Sequence, residues 1–180
     1  MGSSGANGLR EILIGTNTEK VVRTSEPPVL MVKNEHETFN INNFVFASDF
    51  KDENKAPYKK AIEFAEILKA KTHLLMVNTP NKFMSSAKAN SRMKTFANNF
   101  DYTNYSVHIY NDDTIEKGII NFSASINADL IGMSTHGRQG ISHFFNGSIS
   151  EDLMNHAKRP VITASIEKLG EFAIFGYKTD

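Results

Sequence analysis

The chain has 180 residues, 40% of them hydrophobic and 22% charged, which is enough for one globular domain with material to spare. Twenty Lys and Arg balance twenty Asp and Glu, so no basic field marks the chain for nucleic acid or an anionic membrane. The absence of cysteine excludes disulfides, thiolate metal sites and a cysteine nucleophile, and it fits a reducing compartment. No apolar run approaches the roughly 18 residues of a membrane span and no charged-then-apolar leader pattern is visible, so a cytoplasmic protein without membrane or nucleic-acid partners is expected.

The opening "MGSSG" has the look of an expression-tag remnant, but a repeat argues otherwise. Residues 1–33 lie over 133–165 without a gap, pairing Met1/Met133, Gly5/Gly137, Gly8/Gly140, Gly15/Gly147, Glu19/Glu151, Pro28/Pro160 and Val29/Val161. Seven identities in 33 positions compare with about two expected from composition. Residues 1–33 are therefore expected to be the last part of a first copy, 34–42 a polar linker, 43–165 a complete second copy and 166–180 a tail of unknown role.

Within the complete copy, "NFVFAS" (43–48) predicts a buried strand. Residues 54–70 carry Ala61, Phe64, Ala65 and Leu68 at helical spacing, and "THLLMV" (72–77) predicts a second strand. A helix over 85–100 presents Met93, Phe96, Ala97 and Phe100, followed by a strand over 105–110. The next helix, 114–126, places Ile115, Ile119, Phe122 and Ile126 on one face. "DLIGM" (129–133) predicts a fourth strand, 149–157 a helix and "PVITA" (160–164) a fifth strand. Strands alternating with helices predict a parallel sheet covered on both faces, with right-handed crossovers. Ligands of such sheets bind at the carboxyl ends of the strands where strand order reverses, so the loops after the first and fourth strands are the places to look.

The loop from Ser134 to Ser148 leaves a buried strand, contains Gly137, Gly140 and Gly147, and ends at a helix start. Glycines allow a ligand close to the backbone, and unpaired N–H groups in the first helical turn suit a phosphate. The same residues also read as local structure, because Ser148 and Glu151 make an S-x-x-E capping box that Thr16 and Glu19 repeat. Both readings stand at this level. Neither a G-x-x-x-x-G-K-[ST] nor a G-x-G-x-x-G pattern is present.

Asp49 directly follows the first strand and belongs at the same edge. It would accept hydrogen bonds from a ribose or base, or hold a metal arriving with a triphosphate; alternatively it caps the following helix. The six histidines do not form a metal-ligand pattern, and His73 and His108 read as core or edge residues of strands. Only His136, beside Gly137, is retained as a site candidate. No metal ligands and no catalytic set are assigned, since no G-x-S-x-G elbow or Ser/His/Asp arrangement is evident.

The stretch "DLIGMSTHGRQGISHFFNGSISEDLMNHAKRPVITA" resembles the end of a universal stress protein domain, and so does "MGSSGANGLREILIGTNTEKVVRTSEPPVLMVK". The nucleotide-binding branch of that family carries G-x2-G-x9-G-[ST], which the first copy meets with Gly2, Gly5, Gly15 and Thr16. The complete copy has Gly137, Gly147 and Ser148 but Ser134 at the first position. "FVFASDF" puts Asp49 at the family's nucleotide-contacting aspartate, and "HLLMV" puts Val77 where the backbone meets the adenine.

The resemblance implies an α/β fold of the Rossmann-like, adenine nucleotide alpha hydrolase type, with a five-stranded parallel sheet ordered 3-2-1-4-5. It implies an ATP-type ligand, with any Mg arriving on the triphosphate, held by Asp49, Val77, Ser134, His136, Gly137, Gly147, Ser148 and Ile149. It also implies dimeric pairing of domains through their last strands, either as a homo-oligomer or within a tandem chain. Here that sets Val29–Lys33 antiparallel to Val161–Ser165. Two departures are visible besides Ser134: Lys51 stands where the family often has Ser, and "NDD" (111–113) replaces a glycine-containing turn.

Two functions of different class follow. One is a stress-response protein binding ATP or a related adenine nucleotide. The other is a nucleotide-free dimerisation and interaction module of the same fold. A hydrolase or transferase ranks below both for want of a nucleophile and base. On this reading Gly137→Val or Gly147→Val abolishes nucleotide binding, and Ser134→Gly leaves it equal or stronger.

Overall fold

The computed structural model describes residues 25, 28–32, 40–135 and 159–165. In chain order these form β1 (Val29–Met31), β2 (Asn43–Ala47), a 3-10 turn (Asp52–Asn54), α1 (Lys55–Leu68), β3 (Lys71–Asn78), α2 (Ser86–Ala97), β4 (Tyr105–Asn111), α3 (Ile115–Ser125), β5 (Leu130–Thr135) and β6 (Val161–Ser165). They make one sheet of order β1-β6-β5-β2-β3-β4.

Five of those strands, β4-β3-β2-β5-β6, run parallel in the order the sequence predicts. The sheet nevertheless has six strands, because β1 adds to its edge. β1 is antiparallel to β6, pairing Val29 with Thr163, Leu30 with Ile162 and Met31 with Val161. The pairing is shorter than the predicted Val29–Lys33: Val32 lies past the strand, and Lys33 is outside the described residues. The predicted helix 149–157 and the tail 166–180 also lie outside them.

Alternation along the strands feeds two cores. Phe44 and Phe46 of β2, Leu74 and Met76 of β3, Leu130 and Ile162 point to the face that α1 and α2 cover. Val45, Ala47, Leu75, Ile131, Met133 and Val161 point to the other face, against Ile119 and Phe122 of α3. Period-two alternation with both faces apolar is what a doubly covered parallel sheet requires. Each large side chain so buried contributes roughly 1.5–3 kcal/mol.

The helices follow from their spacing. In α1, Tyr58, Ala61, Ile62 and Ala65 are buried on one stripe. Pro57 falls in the first turn, where its missing N–H takes no intrahelical bond. Lys69 stops the helix in the left-handed region, φ 56°, with its N–H on Ala65 and Glu66 carbonyls. Thr114 caps α3 by accepting from the Lys117 N–H at 3.3 Å.

β2 leads through α1 toward β3 and β4 on one side, whereas β5 and β6 lie on its other side. The strand order therefore reverses between β2 and β5, and the carboxyl ends of these two strands are where sheets of this kind bind their ligands.

Candidate functional site

β2 ends at Ala47, paired with Leu75 of β3 and Met133 of β5. The chain then makes a tight turn. Phe50 takes a positive φ of 53°, its N–H donates to Ser48 Oγ at 3.0 Å, and its ring is sunk in the core edge-on to Phe96 at 5.4 Å. The buried ring anchors the turn and leaves Asp49 at the rim, its side chain 47% exposed.

Asp49 does not cap α1. Asn54 occupies the N-cap position and makes no capping bond with its side chain. Instead Asp49 Oδ1 accepts from the Lys51 backbone N–H at 3.2 Å and from Asn54 Nδ2 at 2.7 Å. Oδ2 takes the Lys51 ammonium at 2.8 Å. That hydrogen bond, and then the carboxylate's charge, raise the lysine pKa above its ordinary value.

Ser134 lies near the carboxyl end of β5, beside Ala164 of β6. Its side chain is buried and its hydroxyl donates to Asn54 Oδ1. Asn54, 2% exposed, thus links Asp49 to the end of β5, where Ser134 lies 80 positions further along the sequence than Asn54.

Val77 sits past the point where β2 leaves β3. Pairing of β2 with β3 ends at Leu75, whereas β3 continues beside β4 to Asn78. Ser48 N–H donates to the Leu75 carbonyl at 3.1 Å, so the Leu75 main chain faces the β2 side. By strand alternation the Val77 main chain faces that side too, above Ser48 and Asp49. Its side chain packs against Gly118 of α3. Asn78, buried, fixes the following loop: its amide exchanges bonds of 3.0 and 3.1 Å with the Met84 backbone and donates to Asn111 at 3.2 Å.

The carboxyl edge of the sheet therefore carries Asp49, Val77 and Ser134. The other predicted site residues, His136, Gly137, Gly147, Ser148 and Ile149, lie outside the described residues, as do Gly2, Gly5, Gly15 and Thr16 of the first copy. Sequence reasoning missed Asn54 and Asn78. The signal for Asn54 was indirect: a serine in the glycine motif requires some partner for its hydroxyl.

A second polar cluster occupies the opposite, amino-terminal end of the sheet. His73 Nδ1 and His108 Nε2 are 3.2 Å apart, and Ser106 Oγ lies 3.0 Å from the first and 2.8 Å from the second. His73 Nε2 meets Asn43 Oδ1 at 3.2 Å. Burial, then His108, then Lys71 push the His73 pKa down to about 4. Burial and then Lys71 lower that of His108.

A parallel sheet with helices on both faces and a reversal of strand order at its centre defines a doubly wound α/β domain. The sequence model of the universal stress protein family matches residues 40–164, and the chain belongs to that family. Among solved structures it is similar to a universal stress protein from Archaeoglobus fulgidus DSM 4304, with TM-score 0.73 and 23% identity. That match covers 91% of this chain and 60% of the other, so the chain spans only part of that relative's length.

It is also similar to a universal stress protein in complex with cAMP, with TM-score 0.54, 17% identity and coverage of 71% and 99%. A universal stress protein from Archaeoglobus fulgidus in complex with dAMP gives 0.52, 14%, 70% and 98%. A search of curated proteins finds no match. Among the described residues, no helix is long and apolar enough to cross a membrane.

Proposed function

We propose that this universal stress protein binds ATP or a related adenine nucleotide at the carboxyl ends of β2 and β5. Asp49 takes the ribose, the Val77 main chain takes the adenine, and the loop holding Ser134, His136, Gly137, Gly147, Ser148 and Ile149 takes the phosphates. The observation that carries this reading is the setting of Asp49. Its carboxylate stands half-exposed at the topological switch point, anchored through Oδ1, with Oδ2 paired among the described residues with the exposed Lys51. That arrangement suits the hydroxyl donors of a sugar. The cAMP and dAMP complexes of fold relatives support the same ligand class.

The alternative is a nucleotide-free interaction module. The Lys51–Asp49 ion pair favours it, since the lysine already occupies the carboxylate that a ribose would take. The antiparallel β1–β6 ladder supports a further proposal: residues 1–33 belong to a neighbouring domain of a tandem chain, which docks last strand to last strand.

The test is direct. Purified protein is denatured, the precipitate is removed, and the supernatant is resolved by anion exchange, with a parallel thermal-shift assay in Mg-ATP. Co-released adenine nucleotide, or a Tm increase with Mg-ATP, supports the binding reading. Neither result leaves the interaction module.

A further inference from the structure

Ser134 stands where the family's glycine motif begins, and its hydroxyl is committed rather than idle. It donates to Asn54 Oδ1, and Asn54 Nδ2 donates in turn to Asp49 Oδ1 at 2.7 Å. The orientation of the amide is dictated by its partners. A carboxylate only accepts, so the amide must turn its NH2 toward Asp49, which leaves its oxygen for the serine. Both ends of the amide are therefore used in a place where an unpaired end would carry a full desolvation penalty.

We infer that Asn54 is a positioning residue of the ligand site and that Ser134 is its support: together they lock the Asp49 carboxylate with Oδ1 inward on Asn54 and Oδ2 outward on the side of the exposed Lys51. This rests on the nucleotide reading above. The 2.7 Å bond from Asn54 is the shorter of the two anchors on Oδ1, the Lys51 N–H lying at 3.2 Å. It comes from a side chain that the 3-10 turn and the end of β5 both hold in place. An orientation fixed before binding spares the ligand the cost of ordering the carboxylate. The serine is then a compensated replacement of glycine, and the expectation that Ser134→Gly leaves binding equal or stronger is reversed.

The experiment is calorimetric titration of the full chain with ATP, each variant accompanied by a thermal melt. Asn54→Asp keeps the size and the acceptor for Ser134, but it sets a carboxylate oxygen against Asp49. It is expected to weaken binding about tenfold or more. Ser134→Ala and Ser134→Gly are expected to weaken it roughly three- to tenfold, and Ser134→Thr, which keeps the hydroxyl, to lose less than either.

In an Asp49→Ala background, Asn54→Asp should have no further effect on affinity, which general loosening of the fold would not produce. Unchanged affinity in folded Asn54→Asp, or a full additional loss in the Asp49→Ala background, overturns the inference. Should Asn54→Asp fail to fold, the serine series decides in the same way. Wild type that binds no ATP overturns the nucleotide reading and this inference with it. Wild-type binding that ignores Asn54 and Ser134 overturns this inference alone.

Discussion

A methyl group on Gly132 would lie 2.5 Å from Cζ of Phe44. Gly132 is in β5 and Phe44 in β2, strands with two others between them in sequence but adjacent in the sheet, and the Phe44 ring is fully buried on the α1 face. The ring lies over the glycine because Gly132 offers no side chain on that face. Packed interiors do not yield to such overlap, so Gly132→Ala is expected to destabilise by about 1–3 kcal/mol. Chemical denaturation checks this, and Phe44→Leu in the same chain should restore part of the loss.

Gly118 gives a case where two effects compete. Replacing a helix-interior glycine with alanine normally stabilises by about 0.8–1 kcal/mol. Here the new methyl would meet Val77 Cγ1 at 2.5 Å and Cγ2 at 3.0 Å. Valine is stiff about χ1 and α3 packs closely on the sheet, so the overlap costs about 1–3 kcal/mol and wins. Gly118→Ala should lower stability. It should also weaken adenine-nucleotide affinity, because α3 then presses on the strand end where the base is proposed to sit. A variant that is less stable but binds ATP unchanged would separate Val77 from the site.

What the sequence could and could not reveal follows from the range of the interactions. β2, β3 and β5 are short apolar runs whose burial is written locally, and the carboxyl-edge position of Asp49 follows from the end of such a run. β1 has only three partly buried residues, and the repeat together with the family resemblance located it. Tyr58, fully buried, escaped the predicted stripe of α1, whereas Leu68 at the helix end is only partly buried. Asn54 sits in "KDENK", a run that reads as solvated turn. Its partner Ser134 stands on a strand 80 residues away, a pairing that no local pattern encodes.

The histidine cluster makes stability depend on pH. An arrangement consistent with these contacts has His73 donating from Nε2 to Asn43, Ser106 donating to His73 Nδ1, and His108 donating from Nε2 to Ser106. Both rings are neutral in it. Their folded pKa values lie below the ordinary value of 6.5, so the unfolded chain binds more protons in the interval. The stabilisation is complete above about pH 6.5 and is lost as pH falls toward about 4. Urea melts across that range should show falling stability, and the double variant His73→Asn/His108→Gln should flatten the slope. An equally steep slope in the double variant would assign the acid sensitivity to other groups.

Tyr58 carries the last prediction. Its ring is packed among Phe46 at 5.4 Å, Phe96 at 5.2 Å and Phe100 at 4.8 Å, edge-on or tilted in each pair. Such aromatic contacts contribute roughly 0.5–1.5 kcal/mol each beyond area burial, and they explain why the ring is held there. The hydroxyl is a different matter. It is buried without a hydrogen-bond partner among the described residues, and desolvation raises its pKa far above the ordinary tyrosine value. An unpaired buried hydroxyl costs about 1–3 kcal/mol, whereas phenylalanine keeps the ring and every aromatic contact. Tyr58→Phe should therefore leave stability unchanged or raise it by roughly 1 kcal/mol, against the usual direction of core substitutions. Tyr58→Leu, which deletes the ring contacts, should be clearly destabilising. A loss of stability in Tyr58→Phe would mean that the hydroxyl has found a partner, a buried water among the candidates, and hydrogen exchange of the phenolic proton would distinguish the two cases.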